Sequence, residues 1–295
     1  MKRAFRFIYL LLGLSVFQIF TVIAQPTVEA NSLLWEISGN ELNQKSYLFG
    51  TIHIIPEKDF FLTENMIERF NSCKVLALEL DLDTSFKSQI VLLAKIFLPN
   101  NKTLADYMDE KDYNQFSSYV MDSLKIKEKK FNKYIRLKPF FSYSLIITDL
   151  LGETLSYEQT FSKMAKTNKM RTVGLETIEF QMSVIDKISI EDQVSVFLDN
   201  AQNGRYAMIN EFNEMLNLYK QQDLDGLYQM IDSDKSITNY EEEFIVKRNK
   251  NWIPKIEKLT RQNCAFIAVG AGHLAGENGV INLLRQRGYT VTPVN

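Results

Sequence analysis

Short apolar runs alternate along the chain with longer amphipathic segments. The runs are rich in β-branched and aromatic residues and are bounded by charged or glycine-containing breaks, which is typical of β-strands. They predict strands over residues 46–55, 74–80, 171–175, 263–269 and 289–294. Because helical segments separate these strands, the pattern predicts an α/β fold with a central, partly parallel sheet that is flanked by helices.

Two of the helical segments have recognisable ends. Residues 63–72 begin with Thr63 as a cap and place Glu64 in the first turn, where a negative charge is favoured. Residues 276–287 finish with a basic turn directly before Gly288, as a helix C-terminus prefers. Both segments therefore predict helices.

The stretch from about residue 86 to 159 differs from the rest because it has no convincing strand pattern. It runs through several amphipathic segments with Tyr, Phe and Leu, and it predicts a sizeable helical insertion. Residues 189–258 predict a second, largely helical stretch. We expect a single α/β domain over residues 25–295, with the insertion inside it.

The first 24 residues have the order of a secretory signal peptide. Lys2, Arg3 and Arg6 precede an apolar stretch. Val22 and Ala24 then fit the −3 and −1 positions of a cleavage site. An uncleaved anchor is the alternative, because the apolar stretch approaches the roughly 18 residues that cross a bilayer. In both cases we expect an exported protein, periplasmic, secreted or associated with the cell envelope, which contacts a membrane only if the segment is uncleaved.

The charge balance narrows the range of partners. The chain has 295 residues, with 34 Lys and Arg against 36 Asp and Glu, so its formal net charge is −2 at pH 7. Proteins that coat nucleic acid carry a cationic surplus, which this chain lacks. We therefore expect a peptide or small-molecule substrate and no nucleic-acid partner.

The two cysteines, Cys73 and Cys264, lack the CxxC spacing of a zinc ribbon or a redox pair. Any metal site must therefore use histidines and carboxylates. Export makes a disulfide between the two cysteines chemically permissible. Both cysteines lie at the start of an apolar run, however, and we expect two buried free thiols. A disulfide is the alternative.

Both histidines of the chain end a Gly-x-x-His motif that directly follows a predicted strand. One motif runs from Gly50 to His53 and the other from Gly270 to His273. In an open α/β sheet, residues just beyond the carboxyl ends of the strands line the functional crevice, and glycine lets the backbone approach a ligand closely. A single such histidine is usually a core residue, but the repeated placement predicts that both share one site.

Two further predicted strands end in a carboxylate, Glu79 and Glu176, within apolar surroundings. An acid in such a run is costly to bury unless it is paired or bound to a cation. Two His and two Glu at strand ends form a metal-ligand set, in which one Glu can be a ligand and the other a general base. An ion pair or a helix cap is the alternative for each carboxylate.

Arg248 and Asn249 precede Trp252 in a helical segment. The fork of an arginine can clamp a carboxylate or a developing negative charge. A surface helix with Trp252 packed into the core is the alternative interpretation. The chain has no GxSxG, HExxH or P-loop pattern that indicates a different chemistry.

Taken together, these motifs resemble those of the TraB/GumN family, which is similar to the Tiki group of extracellular metalloproteases. The matching pieces, in the order of the family, are YLFGTIH at 47–53, LELD at 78–81, VGLET at 173–177 followed by Gln181, Arg248-Asn249 with Trp252, and VGAGHLAGENG at 269–279. They span nearly all of the chain beyond the predicted signal peptide, and the last of them is the most specific.

The resemblance implies a fold related to erythromycin-esterase and ChaN-like proteins. It also implies a metal centre of His53, Glu79 and His273, with Glu176 and Arg248 in supporting or catalytic roles. For the Tiki group it implies peptide cleavage that depends on manganese or cobalt. The expected cofactor is thus a divalent ion, manganese or cobalt in preference to zinc.

The leading hypothesis is an exported, metal-dependent hydrolase, preferably a peptidase, that uses a metal-activated water. Glu176 or Glu79 would accept the proton, and Arg248 would stabilise negative charge in the transition state. The alternative is a non-catalytic protein that sequesters a peptide or another ligand in the same crevice. A third hypothesis is the binding of haem or another iron-containing ligand through a histidine.

Overall fold

Eight strands are present in the structure, a computed structural model that describes residues 31–81, 93–204, 206–233 and 240–294. They are β1 (Leu34–Gly39), β2 (Ser46–Thr51), β3 (Ile55–Pro56), β4 (Val75–Leu78), β5 (Thr154–Leu155), β6 (Arg171–Gly174), β7 (Ala265–Gly270) and β8 (Tyr289–Pro293). Six of them form the central sheet in the order β6-β4-β7-β2-β1-β8, while β3 and β5 pair separately.

The central sheet is partly parallel. Strands β6, β4, β7 and β2 run parallel to one another, and β1 lies antiparallel to both β2 and β8. Every residue of β2 and β4 is buried. Burial on both faces explains why these strands have continuous apolar sequences instead of alternating ones. The predicted α/β fold with a partly parallel sheet is confirmed.

Among the first three strands, the pattern differs from the prediction in two places. Residues 46–55 were predicted as one strand, but β2 ends at Thr51, and Ile55 belongs to the separate strand β3. Strand β1 was not predicted, because the charged Glu36 interrupts its apolar residues. The break after Thr51 leaves His53 in a loop.

Along the chain, the α-helices of the described residues lie between the strands. They are α1 (Glu64–Ser72), α2 (Glu110–Ser118), α3 (Glu128–Tyr134), α4 (Pro139–Leu151), α5 (Tyr157–Thr167), α6 (Ile178–Ile185), α7 (Ile190–Asn203), α8 (Ala207–Lys220), α9 (Leu224–Ser233), α10 (Lys247–Gln262) and α11 (Val280–Gln286). Thr63 caps α1 by accepting a hydrogen bond from the backbone N–H of Met66, at 3.2 Å. The predicted helix at 276–287 is shorter and begins at Val280.

The described part of the predicted insertion is mainly helical. It contains α2, α3 and α4, and its last residues form the short strand β5, which the sequence did not predict. Strand β5 pairs antiparallel with β3, so the end of the insertion is hydrogen-bonded to the loop that carries His53. The first residues of the insertion lie outside the described residues, and the domain limits stay a prediction.

Aromatic packing fixes helix α5 against the sheet. Phe49 of β2 packs against Tyr157 and Phe161 of α5, with ring centroids 5.5 and 5.3 Å apart. Tyr157 also donates a hydrogen bond to the carbonyl of Phe61, at 2.9 Å. The N-terminus of α5 is therefore held beside the carboxyl end of β2.

The cysteine prediction was wrong. Cys73 and Cys264 form a disulfide, with their Cα atoms 4.7 Å apart. Cys73 follows α1 and Cys264 precedes β7, and the backbone N–H of Lys74 also donates to the carbonyl of Cys264, at 3.0 Å. The pairing of β4 with β7 brings the two positions together, which the separate apolar runs could not show.

The N-terminal segment that was predicted as a signal peptide lies outside the described residues. Within the ranges that are described, no helix has the length and apolar character needed to cross a membrane.

Candidate active site

The four strand-end residues meet at one edge of the sheet. His53 follows β2, Glu79 follows β4, Glu176 follows β6 and His273 follows β7. These strands are parallel neighbours, and the register pairs Thr51 with Gly270 and Leu78 with both Gly174 and Ala268. Their carboxyl ends therefore lie at the same level, as the strand-end rule for open α/β sheets requires.

Gly270 marks the point where three of these side chains converge. A Cβ atom placed on Gly270 would lie 3.3 Å from Oε1 of Glu79, 3.5 Å from Cδ2 of His273 and 3.8 Å from Nε2 of His53. A side chain at position 270 would thus fill the space between the two imidazoles and the carboxylate. The glycine is required here for close approach and not for its backbone angles, since its φ is −51°.

Glu79 is buried and accepts hydrogen bonds at both carboxylate oxygens. Its Oε1 accepts a hydrogen bond from the backbone N–H of Gly270 at 2.8 Å, and its Oε2 accepts one from Gln181 at 3.2 Å and one from Arg248 at 2.5 Å. Burial raises the pKa of a carboxyl, but the positive charge of Arg248, the two histidines and the Gly270 hydrogen bond outweigh it. They lower the pKa of Glu79 to about 2.

Arg248 is the second residue of α10, and its guanidinium lies between the carboxylates of Glu79 and Glu176. Its Nη2 donates to Glu79 and, at 2.7 Å, to Oε1 of Glu176, while its Nε donates to Oε2 of Glu176 at 3.1 Å. Its Nη1 donates to the carbonyl of Phe244 at 3.2 Å and lies 3.1 Å from Nε2 of His273. A guanidinium has five N–H groups, so each one is already used.

Glu176 and Trp252 complete the surroundings of Arg248. The indole N–H of Trp252 donates to Oε2 of Glu176 at 3.1 Å, and the guanidinium lies 4.9 Å from the centre of the indole ring. Trp252 is 0% exposed, which fits the core packing of the alternative interpretation, but Arg248 and Asn249 are buried as well. Glu176 therefore binds and orients Arg248 through both carboxylate oxygens.

Asn249 determines which nitrogen of His273 carries the proton. The amide nitrogen of Asn249 donates to the carbonyls of His273 and Asn278, at 3.2 and 2.8 Å, so its oxygen is the atom that faces Nδ1 of His273 at 2.7 Å. An amide oxygen only accepts, and Nδ1 must donate. Burial, together with the positive charges of Arg248 and His53, outweighs the negative charge of Glu79 and lowers the pKa of His273 to about 3. Neutral His273 thus has its lone pair on Nε2, where Arg248 donates.

His53 has a carboxylate partner that sequence reasoning missed. Its Nδ1 lies 2.9 Å from Oε1 of Glu158, the second residue of α5. Loss of hydration lowers the pKa of His53, but the hydrogen bond and the negative charge of Glu158 outweigh it, so the pKa is raised. The only signal at Glu158 is that of an acid in a first helical turn, which indicates a helix N-terminus and no contact with a residue 105 positions away.

The imidazole and carboxylate donors near Gly270 are of the kind that bind a divalent ion, but they are not arranged as a preformed metal site. Across the ranges that are described, no group of three or more His, Cys, Asp or Glu side chains is placed to hold a metal ion. Nε2 of His273 lies 4.0 Å from Oε1 of Glu79 and accepts from Arg248. Two imidazoles and a carboxylate around the open space at Gly270 are a donor set that manganese, cobalt and zinc accept. The metal roles of His53, Glu79 and His273 stay predictions.

The fold and these side chains define a class of protein. It is a mixed α/β protein with two imidazoles, two carboxylates and a guanidinium at the carboxyl ends of neighbouring parallel strands. The model of the TraB/PrgY/gumN family matches residues 33–293, and the chain belongs to this family.

Curated relatives carry the name of a protease. The chain is 23% identical to metalloprotease TIKI1 of Xenopus tropicalis over 316 residues, which covers 89% of this chain and 61% of the relative. It is 21% identical to metalloprotease TIKI1 of Homo sapiens, with 89% of this chain and 62% of the relative covered. The chain therefore spans about three fifths of the length of these relatives. No solved structure matches it.

Proposed function

We propose that this protein is an exported, metal-dependent hydrolase that cleaves peptides. The observation that carries the proposal is the convergence of His53, Glu79 and His273 on the space beside Gly270. The relatives named as metalloproteases support the same class of reaction. Export rests on the order of charged and apolar residues in the first 24 positions.

His53, Glu79 and His273 would hold the ion, with manganese or cobalt preferred to zinc. When bound, a divalent metal supplies an activated water and polarises the carbonyl of the scissile bond. Asn249 contributes by keeping the lone pair of His273 on Nε2. Glu79 contributes a carboxylate that stays ionised, because the neighbouring Arg248 holds its pKa far below the usual range.

Arg248 would stabilise negative charge on the substrate through one of its Nη1–H groups. Nε2 of His273 has a single lone pair, which either accepts from Arg248, as it does here, or ligates a metal. Ligation by His273 therefore leaves one N–H of Arg248 without its present partner, at the edge of the site. Glu176 would keep Arg248 in place through two hydrogen bonds and accept a proton at Oε1, which has one hydrogen bond from Arg248.

A second candidate function is the non-catalytic sequestration of a peptide in the same crevice. It is favoured by one specific observation: every N–H of Arg248 is engaged by the protein itself, so none of them is available to a substrate in this arrangement. A sequestering protein needs no such donor, whereas a hydrolase must exchange one of these hydrogen bonds.

Peptide turnover distinguishes the two functions. The purified protein, loaded with manganese or cobalt, would be incubated with a mixture of unstructured peptides, and the products would be identified by mass spectrometry. The proposal predicts fragments that are absent after chelation and absent with His53→Ala. Peptide that is bound in a 1:1 complex and recovered intact would contradict hydrolysis and support sequestration.

A further inference from the structure

Glu158 is a largely buried carboxylate that lies outside the motifs quoted above from this sequence. Only 15% of its side chain is exposed. It belongs to the first turn of α5, where the helix dipole favours a negative charge, and Ser156 caps that helix. A buried carboxylate needs partners, and the partners of Glu158 indicate its role.

Three donors surround the carboxylate of Glu158. The hydroxyl of Ser156 donates to Oε2 at 2.7 Å, and the hydroxyl of Thr51 donates to Oε1 at 2.7 Å. Nδ1 of His53 is the third partner, 2.9 Å from Oε1. An ionised carboxylate only accepts hydrogen bonds, and both hydroxyls already donate to it. Nδ1 of His53 must therefore carry the proton.

The proton on Nδ1 decides what the other nitrogen does. In a neutral imidazole with Nδ1 protonated, the lone pair is on Nε2. Nε2 of His53 is the atom that lies 3.8 Å from the Cβ position of Gly270, on the space shared with Glu79 and His273. Without a partner on Nδ1, the ring of His53 would be free to rotate, because 65% of its side chain is exposed.

The backbone reinforces the contact between His53 and Glu158. Strand β3 begins two residues after His53, and strand β5 ends three residues before Glu158. The two strands pair Ile55 with Leu155 and Pro56 with Thr154, and the N–H of Glu57 donates to the carbonyl of Glu153 at 3.0 Å. This small sheet keeps the loop of His53 in register with the start of α5.

We propose that Glu158 is a positioning residue that holds the imidazole of His53 with Nδ1 protonated and Nε2 directed at the site. It does for His53 what Asn249 does for His273, so that both imidazoles present the same nitrogen. Such outer partners of metal-binding histidines change metal affinity about 10- to 100-fold. The expected effect on metal affinity rests on the proposed function. The expected position of the proton on the His53 imidazole does not.

The test uses Glu158→Ala, Glu158→Gln and the control Glu153→Ala, which changes an exposed glutamate four residues before the start of α5. Glutamine keeps an oxygen that can accept from Thr51 and His53 but has no charge. Circular dichroism verifies that each variant is folded. Because the chain has two histidines, nitrogen-15 NMR of the metal-free protein resolves both imidazoles once His53→Ala has assigned them.

At a pH where both imidazoles are neutral, the parent, the control and Glu158→Gln should show His53 protonated at Nδ1. Glu158→Ala should shift the proton of His53 towards Nε2 and leave His273 unchanged. A folded Glu158→Ala variant that keeps the Nδ1 proton would overturn the proposal. So would a folded Glu158→Gln variant that loses it, which also covers the case in which the alanine variant does not fold.

Manganese affinity, measured by titration calorimetry, is the second readout. Glu158→Ala should weaken the Kd about 10- to 100-fold, and Glu153→Ala should leave it unchanged. If the parent binds no manganese or cobalt, the proposed hydrolase fails, whereas the position of the proton on His53 still decides the role of Glu158. If the parent binds metal, an unchanged affinity in Glu158→Ala would contradict the positioning role.

Discussion

Nη1 of Arg248 lies 3.1 Å from Nε2 of His273, on the one lone pair that this histidine offers to the site. The same guanidinium forms hydrogen bonds with both Glu79 and Glu176. A single cation thus pairs with two buried carboxylates and also engages a predicted metal ligand. The interaction with His273 is the one that must be exchanged if His273 is to bind a metal.

Removal of Arg248 should be strongly destabilising. Arg248→Met leaves the carboxylates of Glu79 and Glu176 buried without their common partner, and the loss of one member of a buried ion pair costs about 3 to 5 kcal/mol. We expect the free energy of unfolding, measured by urea denaturation, to fall by about this amount. Arg261→Met, at an exposed position of the same helix, should change it little. A small effect of Arg248→Met would show that the buried network contributes little to the fold.

Gly270→Ala should damage the site while leaving the fold intact. The added Cβ would meet Oε1 of Glu79 at 3.3 Å, so the carboxylate must move by a few tenths of an ångström, and it would occupy the space between the imidazoles. We expect manganese affinity to fall at least tenfold, which corresponds to about 1.4 kcal/mol. Circular dichroism should be unchanged. Affinity equal to that of the parent would place the metal away from Gly270.

The stability of the metal-free protein should depend on Glu79 at acid pH. The pKa of Glu79 is about 2 in the folded protein, against an ordinary value of 4.5. Its contribution is fully present above the ordinary value and is lost as the pH falls towards about 2, because the unfolded chain takes up a proton first. Urea denaturation across this range should show a steeper loss for the parent than for Glu79→Gln. The control Glu41→Gln, at an exposed position, should follow the parent.

Much of the fold and the grouping of the site could be predicted from the sequence. Continuous apolar runs identified the buried parallel strands, and the strand-end rule placed His53, Glu79, Glu176 and His273 at one edge. Arg248 was recognised by its position in a motif and by the resemblance to the family. The family itself is confirmed by the match over residues 33–293.

Other features depend on contacts between distant residues and left no local signal. The hydrogen bond between His53 and Glu158 joins two segments that meet only because β3 pairs with β5. The disulfide of Cys73 with Cys264 likewise follows from the pairing of β4 with β7. Strand β1 was missed because Glu36 interrupts its apolar residues. Local periodicity cannot show which distant segments become neighbours.

Metal content tests directly whether His53 and His273 share one metal site. The protein would be purified without an affinity histidine tag from matched media with manganese, cobalt or zinc, beside His53→Ala and His273→Ala, and its metal determined by mass spectrometry. We expect about one manganese or cobalt ion per chain in the parent and loss of that ion in both variants. A folded parent without metal in every medium, or variants that retain the ion, would contradict a shared site of His53 and His273.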